Sequence, residues 1–301
     1  MTCFCAKSIA RRQKKSTSPQ GSTERAAHVG MCHKGALLKT TSLLFYHTRS
    51  RIAISAAIRI VTGSGARENG TGKELEFGII GGVSWHSTKQ LYEYINARVA
   101  EEKGGHNCAK LVLINVNLQD ILDASDADAK GAVIVDAAIR AEKAGADFVA
   151  LGSNGLHQYA ERVEKAIRIP FIHIADVTAD AITAAGYQTV GLLGVKETME
   201  QGFYKDRLAK CGLRVLIPGQ PERDFINTVL FEETGVGIVK ESSKQAFYRI
   251  AGQLAQNGAE CIILGCTEIE MLMKQEETNM PLFDTTALYA ERIAQLCCSD
   301  Q

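Results

Sequence analysis

The chain has 301 residues, of which 46% are hydrophobic, so it can bury a core in one or two domains. Its formal net charge is zero, but residues 1–72 carry 12 Lys and Arg against 2 Glu, whereas the remainder carries 22 basic and 32 acidic residues. The acidic body offers no surface for a nucleic acid, and no uncharged run reaches the ~18 residues of a membrane span. We therefore expect neither a nucleic-acid partner nor insertion in a membrane.

Residues 1–72 form a basic segment that lacks the glycine-bounded apolar runs of the rest of the chain. Its hydroxyl-rich, acid-poor composition is typical of an organelle transit peptide. A disordered basic tail and a mistaken gene start account for the composition equally well. The expected location is cytoplasmic, or mitochondrial or plastid if the segment is a transit peptide.

The cysteine pattern indicates neither a disulfide framework nor a zinc site. Nine cysteines are scattered without a C-x-x-C pair, and the seven histidines show no metal-ligand spacing. We expect a reducing compartment and no bound metal.

Strands and helices alternate from residue 74 onward. Apolar runs predict strands at residues 74–80, 110–116, 148–151, 170–174, 189–193, 213–217 and 261–264. Helical spacing of apolar residues predicts helices at residues 89–102, 130–143, 160–167, 179–185, 199–211, 226–233, 240–257 and 287–296. This alternation is typical of parallel sheets joined by right-handed crossover connections.

The loop after the first strand, residues 81–88, combines glycines with the start of a helix. Free backbone N–H groups at such a turn attract anions. The loop matches neither dinucleotide nor P-loop motifs, so a carboxylate fits it as well as a phosphate. A plain strand-to-helix turn is the alternative.

Two segments of the chain recur at one spacing. Residues 145–154 resemble residues 258–267, and residues 78–81 resemble residues 191–194, each pair 113 residues apart. Two repeats in register indicate two similar halves. Ser153 and Cys266 then become equivalent positions just past the carboxyl ends of buried strands, where open α/β sheets place their chemistry.

A cysteine at such a position acts as a nucleophile or as a base. A nucleophile needs an activating histidine, for which His157 and His173 are both available. A base needs a lowered pKa, which we expect loop amides to provide for Cys266, whereas Ser153 would be a weak second base. Two polar groups facing each other from symmetric halves suit racemisation, although Cys266 as a buried apolar residue and Ser153 as a turn residue remain the alternative.

Six segments together resemble the aspartate/glutamate racemase family: residues 81–88, 153–157, 173–176, 198–204, 264–269 and 282–286. The resemblance covers roughly residues 75–298. It implies an α/β fold of two pseudo-symmetric, doubly wound parallel-sheet domains with the active site in the cleft between them. It also implies a homodimer that racemises a small acidic amino acid, aspartate or glutamate, without pyridoxal phosphate, metal or another cofactor.

The resemblance also assigns residues. It implies that Cys266 is the main acid/base residue, facing the L-isomer, with Ser153 in place of a second family cysteine. The substrate-binding positions that it implies are Gly82, Ser84, Asn154, Gly155, Lys196, Thr267 and Glu268. Gly155 stands where the family has a threonine, so one hydroxyl contact is lost.

Two alternatives remain open within this reading. A malonate-type decarboxylase of the same superfamily needs only one protonating thiol, and a catalytically impaired binder of acidic amino acids needs none. The expected domains are the basic segment 1–72, a first domain at 74–180 and a second at 181–283. The final helix, 284–298, is expected to pack back on the first domain.

Overall fold

The structure is a computed structural model that describes residues 74–299. The predictions for residues 1–72, including the transit peptide, lie outside the described residues. Within residues 74–299, no helix combines the length and apolar character needed to cross a membrane.

The first half of the described chain forms a four-stranded parallel sheet in the order β2-β1-β3-β4. Its strands are β1 (Phe77–Gly81), β2 (Leu111–Asn115), β3 (Phe148–Leu151) and β4 (Phe171–Ile172). Its helices are α1 (Trp85–Lys103), α2 (Leu118–Asp123), α3 (Ala127–Lys143), α4 (Ala160–Ala166) and α5 (Ile174–Ala184), with a 3₁₀ turn at Gly155–Tyr159.

The second half forms another four-stranded parallel sheet, in the order β6-β5-β7-β8. Its strands are β5 (Thr189–Leu193), β6 (Arg214–Leu216), β7 (Cys261–Leu264) and β8 (Leu282–Asp284). Its helices are α6 (Lys196–Glu200), α7 (Gly202–Lys210), α8 (Gln220–Glu232), α9 (Glu241–Gln256) and α10 (Thr285–Cys298). Short 3₁₀ helices lie at Thr234–Val236, Thr267–Met271 and Gln275–Glu277.

The two sheets repeat one topology. In each, the first strand lies between the second and the third, and the fourth strand pairs with the third. Strands β3 and β7, at the repeat spacing of 113 residues, are fully buried and occupy equivalent places. The prediction of two parallel-sheet α/β domains is confirmed.

The last helix, α10, packs against α1 and α5 of the first half. Its buried Tyr289 hydroxyl accepts a hydrogen bond from the Leu151 N–H and donates one to the Ile172 carbonyl. The helix is therefore fixed to the ends of β3 and β4. The domain boundary near residue 180 stays a prediction.

Local hydrogen bonding explains where helices differ from the predicted ones. Helix α5 begins at Ile174, earlier than predicted, because the His173 side chain accepts the Ala175 N–H and caps the helix. Strand β4 therefore ends at Ile172 instead of the predicted residue 174. The unpredicted helix α2 begins in the same way after Asn117, whose side chain accepts the Gln119 N–H. The predicted helix 199–211 is divided at Gln201, which has an extended backbone.

Candidate active site

The carboxyl ends of β3 and β7 carry the two positions that the sequence repeat makes equivalent. Ser153 follows β3, and Cys266 with Thr267 follows β7. Ser153 and Thr267 line one small cavity of about 10 Å³, together with Ser87 and Thr286. That volume corresponds to about one water molecule, so a larger molecule enters only when this region opens.

Cys266 is hydrogen-bonded to a carboxylate. Its Sγ lies 2.9 Å from Glu268 Oε2, and the other Glu268 oxygen accepts from Ser87 Oγ at 3.3 Å. Burial raises the pKa of the partly buried thiol well above its usual range, and the charge of Glu268 and the hydrogen bond to it raise it further. The amides of Glu268 and Thr267 do lower this pKa, as expected from the sequence, but by less. Cys266 is therefore a protonated thiol at neutral pH, and the lowered pKa expected from the sequence is not found.

His157 does not contact the thiol and serves the backbone of the first half. Its Nδ1 donates to the Ser153 carbonyl at 2.6 Å, and its Nε2 accepts from the Ile174 N–H at 3.2 Å. Burial lowers its pKa to about 4, so the ring stays neutral. His157 holds the Ser153 loop against α5 and is not available as an acid/base group.

His173 is also structural. Its Nδ1 accepts from the Ala175 N–H at 3.1 Å, and burial lowers its pKa. The observed hydrogen-bond partner of the Cys266 side chain is thus a carboxylate. A nucleophilic cysteine activated by either histidine is not the arrangement found.

Asn154 links the Ser153 loop to the second sheet. The Asn154 Nδ2 donates to Thr285 Oγ1 at 3.0 Å, and Thr285 in turn donates to the Leu264 carbonyl at the end of β7. Asn154 is 7% exposed, and its Oδ1 has no hydrogen-bond partner among the described residues. An acceptor is thereby left free beside the junction of the two halves.

Gly155 faces the second half. A Cβ added there would lie 3.5 Å from Val195 Cγ2 and 3.9 Å from Thr198 Oγ1. The Thr198 hydroxyl is fully buried and lacks a partner within the described part of the chain. Gly155 offers no hydroxyl here, and the nearby Thr198 hydroxyl has no hydrogen-bond partner among the described residues.

The Gly82 loop shapes the start of α1. Gly82 has φ +89°, and a Cβ there would lie 1.9 Å from the Val116 carbonyl oxygen. Its N–H donates to Thr88 Oγ1 at 2.8 Å, so this amide is occupied. Ser84 caps α1 by accepting the Ser87 N–H at 3.4 Å. The predicted binding residues Gly82 and Ser84 thus both form hydrogen bonds that stabilise the first turn of α1.

Lys196 begins α6 and forms an ion pair with Asp224 of α8. The Lys196 backbone N–H donates to Asn227 Oδ1 at 3.1 Å, which holds the same two helices together. The structure thus gives Lys196 an acidic protein partner at the place where the sequence predicts a substrate contact.

A second cavity, of about 300 Å³, adjoins the first. It shares Ser87 and Thr267 with the small cavity and is also lined by Glu268. His86, which also lines it, belongs to the recognised segment 81–88. The remaining lining residues lie outside the recognised segments and are Gln90, Thr234, Gly235, Val236, Gly237, Glu270, Met271 and Lys274. Glu270 directly follows the recognised segment 264–269, and this adjacency was the sequence feature that could have identified it.

The chemistry available to the site is proton transfer. Within residues 74–299, no three His, Cys, Asp or Glu side chains are grouped so as to hold a metal ion. A thiol paired with a carboxylate lies after β7, and a serine hydroxyl lies after β3. A thiol and a hydroxyl can each give and take a proton.

Comparison with known proteins gives one consistent result. The model of the Asp/Glu/hydantoin racemase family matches residues 80–293. The broad-specificity amino-acid racemase RacX of Bacillus subtilis is 25% identical over 170 residues, which cover 55% of this chain and 71% of RacX.

Two solved structures are similar to this chain in both sequence and fold. A putative Asp/Glu racemase from Yersinia pestis is 37% identical, with a TM-score of 0.71, and the match covers 75% of this chain and 100% of that one. An aspartate racemase homologue from Pyrococcus horikoshii is 28% identical, with a TM-score of 0.66 and the same coverage.

Proposed function

Because the chain belongs to the Asp/Glu/hydantoin racemase family, we propose that it is a cofactor-independent amino-acid racemase that uses Cys266 to exchange the α-proton. The observation that carries the proposal is the hydrogen bond from the Cys266 thiol to Glu268. It gives the thiol a base that can take its proton at the carboxyl end of β7, where the fold places chemistry.

The proposed cycle begins with the protonated thiol. Cys266 gives its proton to Glu268, and the resulting thiolate removes the α-proton of the bound amino acid. The electron pair left on Cα delocalises into the α-carboxylate. Return of a proton from Cys266 restores the starting isomer, with solvent hydrogen incorporated if the thiol has exchanged.

Inversion needs a proton from the opposite face, which we assign to the Ser153 hydroxyl. Solvent then carries the proton held by Glu268 back to the serine oxygen, so the cycle closes. A hydroxyl is a poor donor and a worse base toward carbon. Inversion should therefore be slower than exchange when the L-isomer is the substrate.

Two unpartnered groups suit the amino-acid backbone of a substrate. Asn154 Oδ1 can accept from an α-ammonium group, and the Thr198 hydroxyl can donate to an α-carboxylate. Thr267, which lines both cavities, is the third substrate-binding residue that we propose. The family resemblance implies aspartate and glutamate, so these are the first substrates to test.

The resemblance also predicts a homodimer. Analytical ultracentrifugation would detect it.

A single-thiol decarboxylase is the second candidate, favoured by one specific observation. A thiol whose pKa is raised by burial and by Glu268 is well suited to protonate a carbanion. Loss of carbon dioxide from a malonate would generate that carbanion without a base, so Ser153 would not be required.

The experiment that separates these functions is proton NMR in D₂O, with chiral chromatography of the same samples. Each isomer of aspartate and glutamate, several other amino acids and a malonate are incubated with the full chain. Loss of the α-proton signal supports the racemase, whereas carbon dioxide release from the malonate alone supports the decarboxylase. Binding without either reaction would identify an impaired binder.

A further inference from the structure

The cavity of about 300 Å³ begins next to Cys266 in the chain, since the following two residues, Thr267 and Glu268, line it. Ser87 and Thr267 line it as well as the small cavity beside Ser153, so the two spaces meet at these residues. Glu268, which holds the Cys266 thiol, lies in its wall. An amino acid whose α-carbon reaches Cys266 would therefore direct its side chain into this space, which has the size of a small-molecule site.

The wall of this cavity carries both apolar and acidic side chains. Met271 and Val236 are exposed there at 42% and 65%. Glu268 and Glu270 supply two carboxylates, and Lys274 is the cationic side chain among the described lining residues. A side chain with a hydrocarbon stem and a cationic or neutral end suits such a lining.

Glu270 is held in place by three groups. Its Oε2 accepts from Gln90 Nε2 at 2.6 Å, its Oε1 accepts from the Tyr94 hydroxyl at 3.0 Å, and the Lys274 Nζ lies 3.7 Å from Oε1. Lys274 is thus already paired with a protein carboxylate. A substrate carboxylate would have to compete with Glu270 for Lys274 while approaching two negative charges.

The acidic character continues behind the wall. Asp284 lies beside Glu270, and its pKa is raised to about 6 by burial and by the Glu270 charge. A second half-buried carboxyl group next to Glu270 makes a further negative charge in this region unfavourable.

We propose that this cavity is the side-chain subsite of the racemase and that Glu270 makes it select cationic side chains, of the ornithine or lysine type, over aspartate and glutamate. The inference rests on the proposed function and deepens it. It opposes the acidic substrate that the family resemblance implies, because the charges lining the cavity have the wrong sign for a carboxylate.

The test measures α-proton exchange in D₂O for L-ornithine, L-lysine, L-methionine, L-aspartate and L-glutamate with the full chain. Wild type should favour ornithine or lysine over glutamate by about tenfold or more in kcat/KM, an order-of-magnitude expectation for one added like-charge contact. Glu270→Gln should free Lys274 and reduce that ratio by about tenfold. The matched control is Glu277→Gln, since Glu277 is bound by Lys244 and Tyr248 outside this cavity and its loss should leave the ratio unchanged.

Calorimetric binding of ornithine and glutamate to the Cys266→Ala variant gives a readout that needs no turnover. A wild type that prefers glutamate, or a ratio that Glu270→Gln does not alter, would overturn the inference while leaving the racemase intact. Absence of exchange with every amino acid would overturn the proposed function instead, and the binding ratio would still decide the charge preference of the cavity.

Discussion

At the residue scale, Glu268 adds to the effect of burial on the thiol. Its carboxylate lies 2.9 Å from Cys266 Sγ, and after burial its charge is the next cause that raises the pKa of the thiol. Replacement by glutamine removes that charge and removes the base that receives the thiol proton. The thiol should then ionise more easily, but α-proton exchange should be slower because the base is lost.

We predict that Glu268→Gln lowers α-proton exchange by about 10²–10⁴-fold, the usual cost of losing an acid/base group. In the same variant, alkylation of Cys266 by iodoacetamide at neutral pH should become faster because the pKa of the thiol falls. Peptide mass spectrometry reports alkylation at Cys266, and exposed Cys108 provides the internal reference. Slower alkylation together with unchanged exchange would remove Glu268 from the mechanism.

Ser153 gives the second prediction at this scale. Its hydroxyl accepts from the Leu156 N–H at 3.4 Å and lines the small cavity with Thr267. Because a thiol exchanges protons far more readily than a hydroxyl, Ser153→Cys should raise the rate of inversion relative to exchange. Ser153→Ala should lower that ratio while exchange of the L-isomer continues. Equal rates in wild type, unaltered in both variants, would show that Ser153 does not serve the second face.

At the scale of elements, the turn between β1 and α1 depends on a glycine. Gly82→Ala would place a Cβ 1.9 Å from the Val116 carbonyl oxygen at φ +89°, so the turn must shift. We expect a loss of roughly 2 kcal/mol or more in the free energy of unfolding. Gly145→Ala is the control, because its φ is +101° with no atom within 4 Å, and we expect about 1 kcal/mol. Equal losses, measured by denaturant unfolding, would show that the contact with Val116 is not the cause.

The start of α10 gives a pH-dependent prediction. Asp284 caps this helix by accepting the Thr286 and Ala287 N–H groups, and burial with Glu270 raises its pKa to about 6 from 3.8. The native state therefore holds this proton between about pH 4 and 6, while the unfolded chain releases it. Asp284 makes the protein less stable as the pH rises through that window, by about 1–3 kcal/mol.

Asp284→Asn retains the cap and removes the titration. The difference in unfolding free energy between the variant and wild type should therefore grow in favour of the variant from pH 4 to pH 6. Comparison of the two proteins cancels the opposite contribution of His157, whose pKa is lowered to about 4 from 6.5. A difference that is constant across this range would contradict the assigned pKa.

At the scale of the whole molecule, the strand pattern predicted seven of the eight strands in the described residues, because parallel strands buried on both faces are continuous apolar runs. It missed β8, which has three residues and is only half-buried. The position of Cys266 followed from the same logic, since it directly follows the buried strand β7. Contacts made by packing were not predictable. The bonds of His157 to the Ser153 carbonyl and the Ile174 N–H, and of Glu270 to Tyr94, join residues whose meeting depends on the folded geometry.

The basic segment gives a prediction for the full chain. Residues 1–72 lack the periodic apolar pattern that the core of the described fold uses. Removal of this segment should leave the melting temperature and α-proton exchange unchanged. A truncated protein that melts several degrees lower, or that loses exchange, would show that the segment contributes to the folded enzyme.

The most direct test of the mechanism is α-deuteration in D₂O by Cys266→Ala beside Cys108→Ala, with an amino acid that wild type exchanges. We predict a loss of about 10²–10⁴-fold for Cys266→Ala, with its fold and substrate binding retained. Cys108→Ala should match wild type, because Cys108 is an exposed thiol that precedes β2, whereas the site lies after the carboxyl ends of β3 and β7. Exchange at the wild-type rate by Cys266→Ala would contradict the assignment of Cys266 as the acid/base residue.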